Sequence, residues 1–306
     1  MRDRTLEKPT WSVSAFHKKV LTSPYCLHLV VEGKAHDGSY YGKIAESSAE
    51  IRDRGYQVTK VENLYTGGGK SGILKVYEGM KQESRLVQRT KTARKVTAFM
   101  LDRDVENIVG GSRRNPHILY TNGYDVESDI LHNGDDALAL STATGLAPTD
   151  ARSLAQKLGD WRSQAAHEWR EWILLCCIAK VLGIQSKASF GRNVVSNDDL
   201  ASVQACRAHL KTASGLSDAA FDELEERLET KIATAFRVKR TYTLLKGKWL
   251  PAYLRRRIEA ELGGKDHCDL ANFETRVVSN YVASLDCTQP WAQRYRDGWE
   301  SLLSTS

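Results

Sequence analysis

The sequence predicts an α/β protein: a mostly parallel sheet flanked by helices, followed by a mainly helical C-terminal domain. Three observations carry that prediction. Short apolar runs rich in β-branched residues recur through the first half of the chain, with amphipathic stretches between them. Strands that alternate with helices pair in parallel through right-handed crossovers. From about residue 141 the strand-like runs stop and helical periodicity takes over. The expected division is residues 1–140 as an α/β domain carrying the chemistry, and 141–306 as a helical domain that shapes substrate choice and docks partners.

Each element follows in order. Residues 1–24 are polar and mixed, ending at Pro24, and Cys26–Val31 is short and apolar and reads as a buried strand ending in Glu32-Gly33. Residues 37–54 carry Tyr40, Tyr41, Ile44 and Ile51 at helical spacing, with Gly55 as the stop. Tyr56–Val61 alternates as a second strand, Thr66–Gly69 is a loop, and Lys70–Gln82 is amphipathic. Lys95–Leu101 is the next strand and runs straight into Asp102-Arg103-Asp104; after a Gly- and Arg-rich loop, His117–Thr121 is the fourth. In the second half, Pro148-Thr149-Asp150 marks a joint and a helix start. Residues 151–158, 161–182, 216–237 and 250–262 are helical, and Trp161, Trp169 and Trp172 belong to their core.

Composition excludes several classes. The 306-residue chain is long enough for a core without disulfides or metals, and its 41% hydrophobic and 27% charged content is that of an ordinary globular protein. The first 25 residues carry five Lys and Arg residues with no apolar run, so no signal peptide is expected. The longest apolar stretch, Trp172–Ala179, is far short of the roughly 20 residues that cross a bilayer, so no membrane association is expected. The six cysteines form no C-x-x-C pair and are expected as free buried thiols in the cytoplasm. Net charge is only +6, but residues 81–95 hold Lys81, Arg85, Arg89, Lys91, Arg94 and Lys95 against the single acid Glu83, a cluster that suits a polyanion.

The chemistry concentrates in Glu32, Asp102 and Asp104, each at the carboxyl end of a predicted parallel strand, where open α/β sheets bind their ligands. Carboxylates gathered there repel unless a cation neutralises them, and hard oxygen donors suit Mg²⁺ or Mn²⁺. Residues i and i+2 leaving a strand point to one side and can share an ion, with Arg103 directed away. Magnesium keeps waters and takes few protein carboxylates, which predicts phosphoryl-transfer chemistry.

Leu29–Lys34 (LVVEGK) together with Met100–Asp104 (MLDRD) resembles the TOPRIM domain of topoisomerases, primases and OLD-type nucleases. Tyr120–Glu127 (YTNGYDVE) and the late segment Leu245–Leu250 (LKGKWL) are similar to a bacterial branch of stand-alone TOPRIM-like proteins that includes AriB-like effectors of the PARIS anti-phage system. The resemblance is specific over about 25–135 and weaker to about 260. It implies a metal-dependent nuclease, a toxin that cleaves RNA, with tRNA the expected substrate, when released from an ABC-type ATPase partner. It further implies a homodimer when active. It assigns Glu32 as metal ligand or proton carrier, Asp102 and Asp104 as metal ligands, and Glu127 as a second carboxylate of the site. The family places an Asp three residues after its Glu; here His36 and Asp37 indicate one extra residue and leave Asp37 open. The chain has no ATPase motif, so coupling to nucleotide would need a separate subunit.

Gly67-Gly68-Gly69-Lys70-Ser71 is not a phosphate-binding G-x-x-x-x-G-K-[ST] motif, because Leu64 stands where its first glycine belongs. Lys70 is nonetheless a candidate phosphate contact, as are Lys34 beside Glu32 and Arg89, Lys91, Arg94 and Lys95 of the basic cluster. His36 and His117 are expected near the same strand ends, with His36 a candidate for proton transfer. Two other readings stay open: a DNA endonuclease of OLD type, and a catalytically inactive subunit that regulates the ATPase.

Overall fold

A computed structural model describes residues 13–33, 35–64, 68–91, 93–193, 195–263 and 268–304. In chain order it contains α1 (Val13–Thr22), β1 (Leu27–Val31), α2 (Asp37–Glu46), α3 (Ala49–Arg54), β2 (Tyr56–Lys60), α4 (Gly69–Gln82), β3 (Val87–Arg89), β4 (Arg94–Leu101), α5 (Glu106–Val109), β5 (Ile118–Tyr120), α6 (Val126–Asn133), α7 (Asp136–Thr144), α8 (Pro148–Leu158), α9 (Trp161–Glu168), α10 (Arg170–Leu182), α11 (Asn197–Ala201), α12 (Val203–Ser214), α13 (Asp218–Arg237), α14 (Leu250–Leu262), α15 (Phe273–Ser284) and α16 (Pro290–Ser304). The fold is α/β with a helical C-terminal region.

The chain divides into two compact units. The first holds residues 1–102, 113–121 and 286–306; the second holds 103–112 and 122–285. The division differs from a single cut at 140, because the last helix returns to the first unit and the segment after β5 leaves it.

In the first unit, β1 pairs in parallel with β2 and with β4, and β4 shares its other edge between antiparallel β3 and parallel β5. The central strands β1 and β4 are buried on both faces, which explains their unbroken apolar sequence. One face packs on α1 and α4, through Phe16, Val20, Ile73, Val76, Tyr77 and Met80 against Val30, Phe99 and Leu101. The unit also buries α16, which touches α2, α3 and β4. Tyr41 meets Trp299 edge to face at 6.4 Å, and Tyr40 meets Tyr295 at 6.2 Å. The predicted helix over 37–54 breaks in two at Ser47-Ser48, where the Ser48 hydroxyl accepts from Ile51 N and donates to Glu300.

The second unit is all helix. Trp172–Ala179 lies fully within its core, with α9, α12 and α13 around α10. The predicted helix over 161–182 breaks at Trp169, whose buried ring meets Trp249 at 5.7 Å and Tyr253 at 5.2 Å. All six cysteines are free, four of them buried. Among the described residues no helix is long and apolar enough to cross a membrane.

Candidate functional site

Sheet register sets the first part of the site. Leu27 of β1 stands beside Val96 of β4 and Val30 beside Phe99, a register that sets Glu32 level with Leu101 and Asp102 one step further out. Glu32 and Asp102 are the next residues out. Glu32 Oε1 accepts a hydrogen bond from the Asp102 backbone N–H at 3.1 Å, and Asp102 is buried. Gly33 follows with a φ of +103°, a turn that side chains resist, and its N–H donates to Asp37 Oδ2 at 3.0 Å. Asp37 is itself buried. It therefore braces the turn that carries Glu32, through the backbone.

Lys70 also belongs here. It sits in the first turn of α4, and its ammonium donates to the Asp102 carbonyl at 2.8 Å and lies 5.5 Å from the Tyr120 ring centre. A cation is thus fixed at the backbone of the β4 strand end. Its anchor is this contact, since α4 starts at Gly69 after a Gly-rich loop whose Gly67, like Lys34 near Glu32, lies outside the described residues.

The second unit holds Asp104 and Glu127. Asp104 does not continue the strand: β4 ends at Leu101, and Asp104 has a left-handed φ of +50°, so the alternation expected through Asp102-Arg103-Asp104 is lost. Its N–H donates to the Tyr124 carbonyl at 2.7 Å. A non-glycine residue in that region costs energy and persists only where its surroundings impose it. Within the same unit, Asp125 caps α6, its Oδ1 accepting from Ser128 N at 2.8 Å and from Gly247 N at 3.0 Å. Asp129 Oδ2 accepts from Asn122 N at 2.9 Å. Glu127 lies between these two, is only 5% exposed, and its Oε2 has no hydrogen-bond partner among the described residues.

The late Lys-Gly-Lys segment is what holds this turn. Gly247 lies so close to α6 that a Cβ there would stand 2.3 Å from Ser128 N and 2.5 Å from the Glu127 Cβ. Lys246 donates to the carbonyls of Phe190 and Arg192, at 2.6 and 3.0 Å. Trp249 donates to Arg192 O at 2.8 Å and stacks on Phe190, while Lys248 is exposed. The two segments that carry the late resemblance, 120 residues apart in sequence, are thus in part packed on one another.

The basic cluster is placed elsewhere. Arg89, Lys91, Arg94 and Lys95 lie at the amino end of β4, whereas Asp102 follows its carboxyl end; the eight-residue strand puts about 23 Å between them. Lys95 is buried, and its ammonium donates to the carbonyls of Leu21 (2.7 Å) and Ser23, neutralising the end of α1. Arg94 Nε donates to Leu302 O at 3.1 Å. These two are structural cations, which corrects the expectation that they face a nucleic-acid backbone. Arg89 and Lys91 remain exposed. His117 enters β5 and does not lie at a strand exit: its Nδ1 bonds Thr97 O at 2.7 Å, and burial holds its pKa below the usual value.

No protein-family model and no curated protein matches the chain.

The donors fit a hard divalent ion in kind. Glu32 and Asp102 supply carboxylate oxygens at adjacent strand ends, and Mg²⁺ takes one or two such groups and fills its remaining positions with water and phosphate oxygen. Among the described residues no group of three or more His, Cys, Asp or Glu side chains is gathered as a metal cage.

Proposed function

We propose that the chain is a Mg²⁺- or Mn²⁺-dependent nuclease of the TOPRIM type, with Glu32 and Asp102 at its centre. The observation that carries this reading is the Glu32 carboxylate held by the Asp102 backbone N–H at the carboxyl ends of neighbouring parallel strands, with the Lys70 ammonium on the Asp102 carbonyl. Glu32 and Asp102 would hold the ion, with Asp104 added by the resemblance to the TOPRIM domain alone, since strand alternation does not extend to it. When bound, the ion supplies polarisation of the phosphodiester and a more acidic water. Lys70, fixed by the Asp102 carbonyl, offers a positive charge to a phosphate oxygen at the same strand ends. Glu32 is held through one oxygen by the Asp102 N–H, which orients it to accept or return a proton. The resemblance adds Glu127, whose buried Oε2 has no hydrogen-bond partner among the described residues of its own unit.

By its resemblance, the nuclease is a toxin effector of bacterial anti-phage defence. In that setting its substrate is tRNA, its partner an ABC-type ATPase, and its active form a homodimer.

The test is cleavage. Purified protein is incubated with tRNA and with duplex DNA, with Mg²⁺ or EDTA, beside Glu32→Gln. Ion-dependent cleavage of tRNA that falls at least 100-fold in the variant supports the proposal. Cleavage of DNA alone points to the OLD-type activity. Intact polymers from the protein with its ATPase partner and trigger, alongside unimpaired partner binding, would establish the inactive regulatory subunit instead.

A further inference from the structure

The charge of this chain is not spread over it. Residues 69–94 contain seven Lys and Arg residues and two acids, a net of +5 against +6 for the whole molecule. Within the first unit this stretch is α4, β3 and the turn into β4. Both acids are already paired: Glu78 with Arg113, and Glu83 with Arg85. The Arg113 contact also brings the Arg113-Arg114 loop against the middle of α4, and Arg114 is exposed.

Helical geometry puts Lys70 and Lys81 on one flank of α4, with Lys75 well round the helix from both. Helix α4 buries Ile73, Val76, Tyr77 and Met80, and leaves Ser71, Lys75, Lys81 and Gln82 exposed on its other side. It starts with Lys70 at the Asp102 carbonyl. Fourteen residues carry it about 21 Å. Beyond it come Arg89 and Lys91, exposed and, among the described residues, without an ion-pair partner.

One contact there works against stability. Arg89 and Arg94 stand directly opposite each other in the β3–β4 ladder. Like charges so placed are destabilising. The proximity is felt: burial, and then the charge of Arg89, lower the Arg94 pKa. Arg89, exposed on the three-residue edge strand opposite Arg94 of β4, therefore gains from an anion there.

We infer that the outer side of α4 and the β3–β4 turn form a backbone-binding track for a double-helical nucleic acid, leading from Lys70 to Arg89 and Lys91. The inference rests on the proposed nuclease reading and adds a property of the substrate. About 21 Å of track corresponds to roughly six or seven base pairs at 3.4 Å each. A substrate must therefore offer a stem of that length beside the scissile phosphate; shorter stems reach only the Lys70 end.

Binding tests this apart from cleavage. The full chain, in EDTA, is titrated by fluorescence anisotropy with RNA hairpins of 4, 8 and 16 base-pair stems, and with DNA duplexes of the same lengths to show which polymer the track takes. The 8 base-pair stem of at least one polymer is expected to bind at least tenfold more tightly than the 4, with little further gain at 16. In Lys81→Glu/Arg89→Glu/Lys91→Glu the preference for long over short stems is expected to fall below threefold, and the slope of log K against log salt to drop by about 2 to 3. Arg89→Glu alone should raise the melting temperature, since it replaces a like-charge pair by an opposite one, and so separates lost binding from lost folding. Affinity that ignores stem length, or a folded triple variant with the wild-type length dependence, overturns the track. Length-dependent binding, with tRNA and DNA left intact in Mg²⁺ by the protein with its ATPase partner and trigger, would leave the track standing and remove the nuclease reading.

Discussion

Gly247→Ala isolates the contact that ties the Lys-Gly-Lys segment to α6. The added Cβ would sit 2.3 Å from Ser128 N, 2.5 Å from Asp125 Oδ1 and 2.5 Å from the Glu127 Cβ. Ordinary contact begins at 3.4 Å, so the turn must withdraw by about 1 Å. That withdrawal stretches the Gly247 N–Asp125 Oδ1 bond from 3.0 Å to about 4 Å and breaks it. A hydrogen bond to a buried charged group contributes about 1.5–3 kcal/mol, and overpacking costs about 1–3 kcal/mol. The expected loss is roughly 3–5 kcal/mol, a large part of the 5–15 kcal/mol typical of a domain. The assay is denaturant unfolding followed by tryptophan fluorescence, which Trp249 reports directly from the neighbouring position. Asp125→Ala removes one clashing atom and the cap together, so the double variant should be less destabilised than the sum of the two single changes by at least about 1 kcal/mol. A Gly247→Ala protein within about 1 kcal/mol of wild type, or strictly additive losses, would refute the close packing of the two segments.

Three further outcomes are expected. His28 is fully buried in β1, with Nε2 on the Tyr25 carbonyl at 3.3 Å, and burial lowers its pKa to about 4 from 6.5. The folded state therefore holds the neutral ring; its contribution is complete above pH 6.5 and is lost as pH falls from 6.5 towards 4, by roughly 3 kcal/mol over that window. His28→Leu should flatten the dependence of unfolding free energy on pH in that range, and an unchanged slope would count against the assignment. Trp299→Ala empties a fully buried site between Tyr41 and Tyr295 and should cost about 3–5 kcal/mol, measured by thermal unfolding; a chain ended at residue 285 should lose the first unit's cooperative transition altogether.

What the sequence displays and what it hides follow from how each element is stabilised. β1 and β4 are buried on both faces, so their apolar runs announce them; β3 is Val-Gln-Arg on an edge, three residues whose pairing is decided by β4 and not by their own composition. The break at Trp169 carries no glycine or proline, and it was invisible because the ring is placed by Trp249 and Tyr253 from far along the chain. The same holds for α16: its helical pattern is plain, but its membership of the first unit depends on Tyr40 and Tyr41, about 250 residues away. In the site, Glu32 and Asp102 were legible because each follows directly on a buried parallel strand, and the register leaves their exits one residue apart. The basic cluster misled for the complementary reason. Proximity in sequence to Asp102 says nothing of which end of an eight-residue strand a cation occupies. Asp37, left open by the spacing, accepts from Gly33 N at 3.0 Å and so contacts the turn that carries Glu32.

The turn from Asn122 to Asp129 shows how a fold separates carboxylates that build from one that is available. Three acids lie within five residues. Asp125 and Asp129 each accept backbone N–H groups, from Ser128 and Gly247 in one case and Asn122 in the other. Such bonds satisfy the acids and hold the turn, so neither can be exchanged for a ligand without unmaking the helix cap. Glu127 is as buried as its neighbours, yet its Oε2 is satisfied by nothing among the described residues. A buried carboxylate oxygen in that condition costs several kcal/mol unless a proton, a cation or a hydroxyl supplies what the protein does not. Since Gly247 and the Asp125 cap fix its backbone, Glu127 cannot swing out to water cheaply. A proton, a cation or a hydroxyl donor would each meet that need, which makes Glu127, and not its two neighbours, the acid of this turn with an oxygen left to offer.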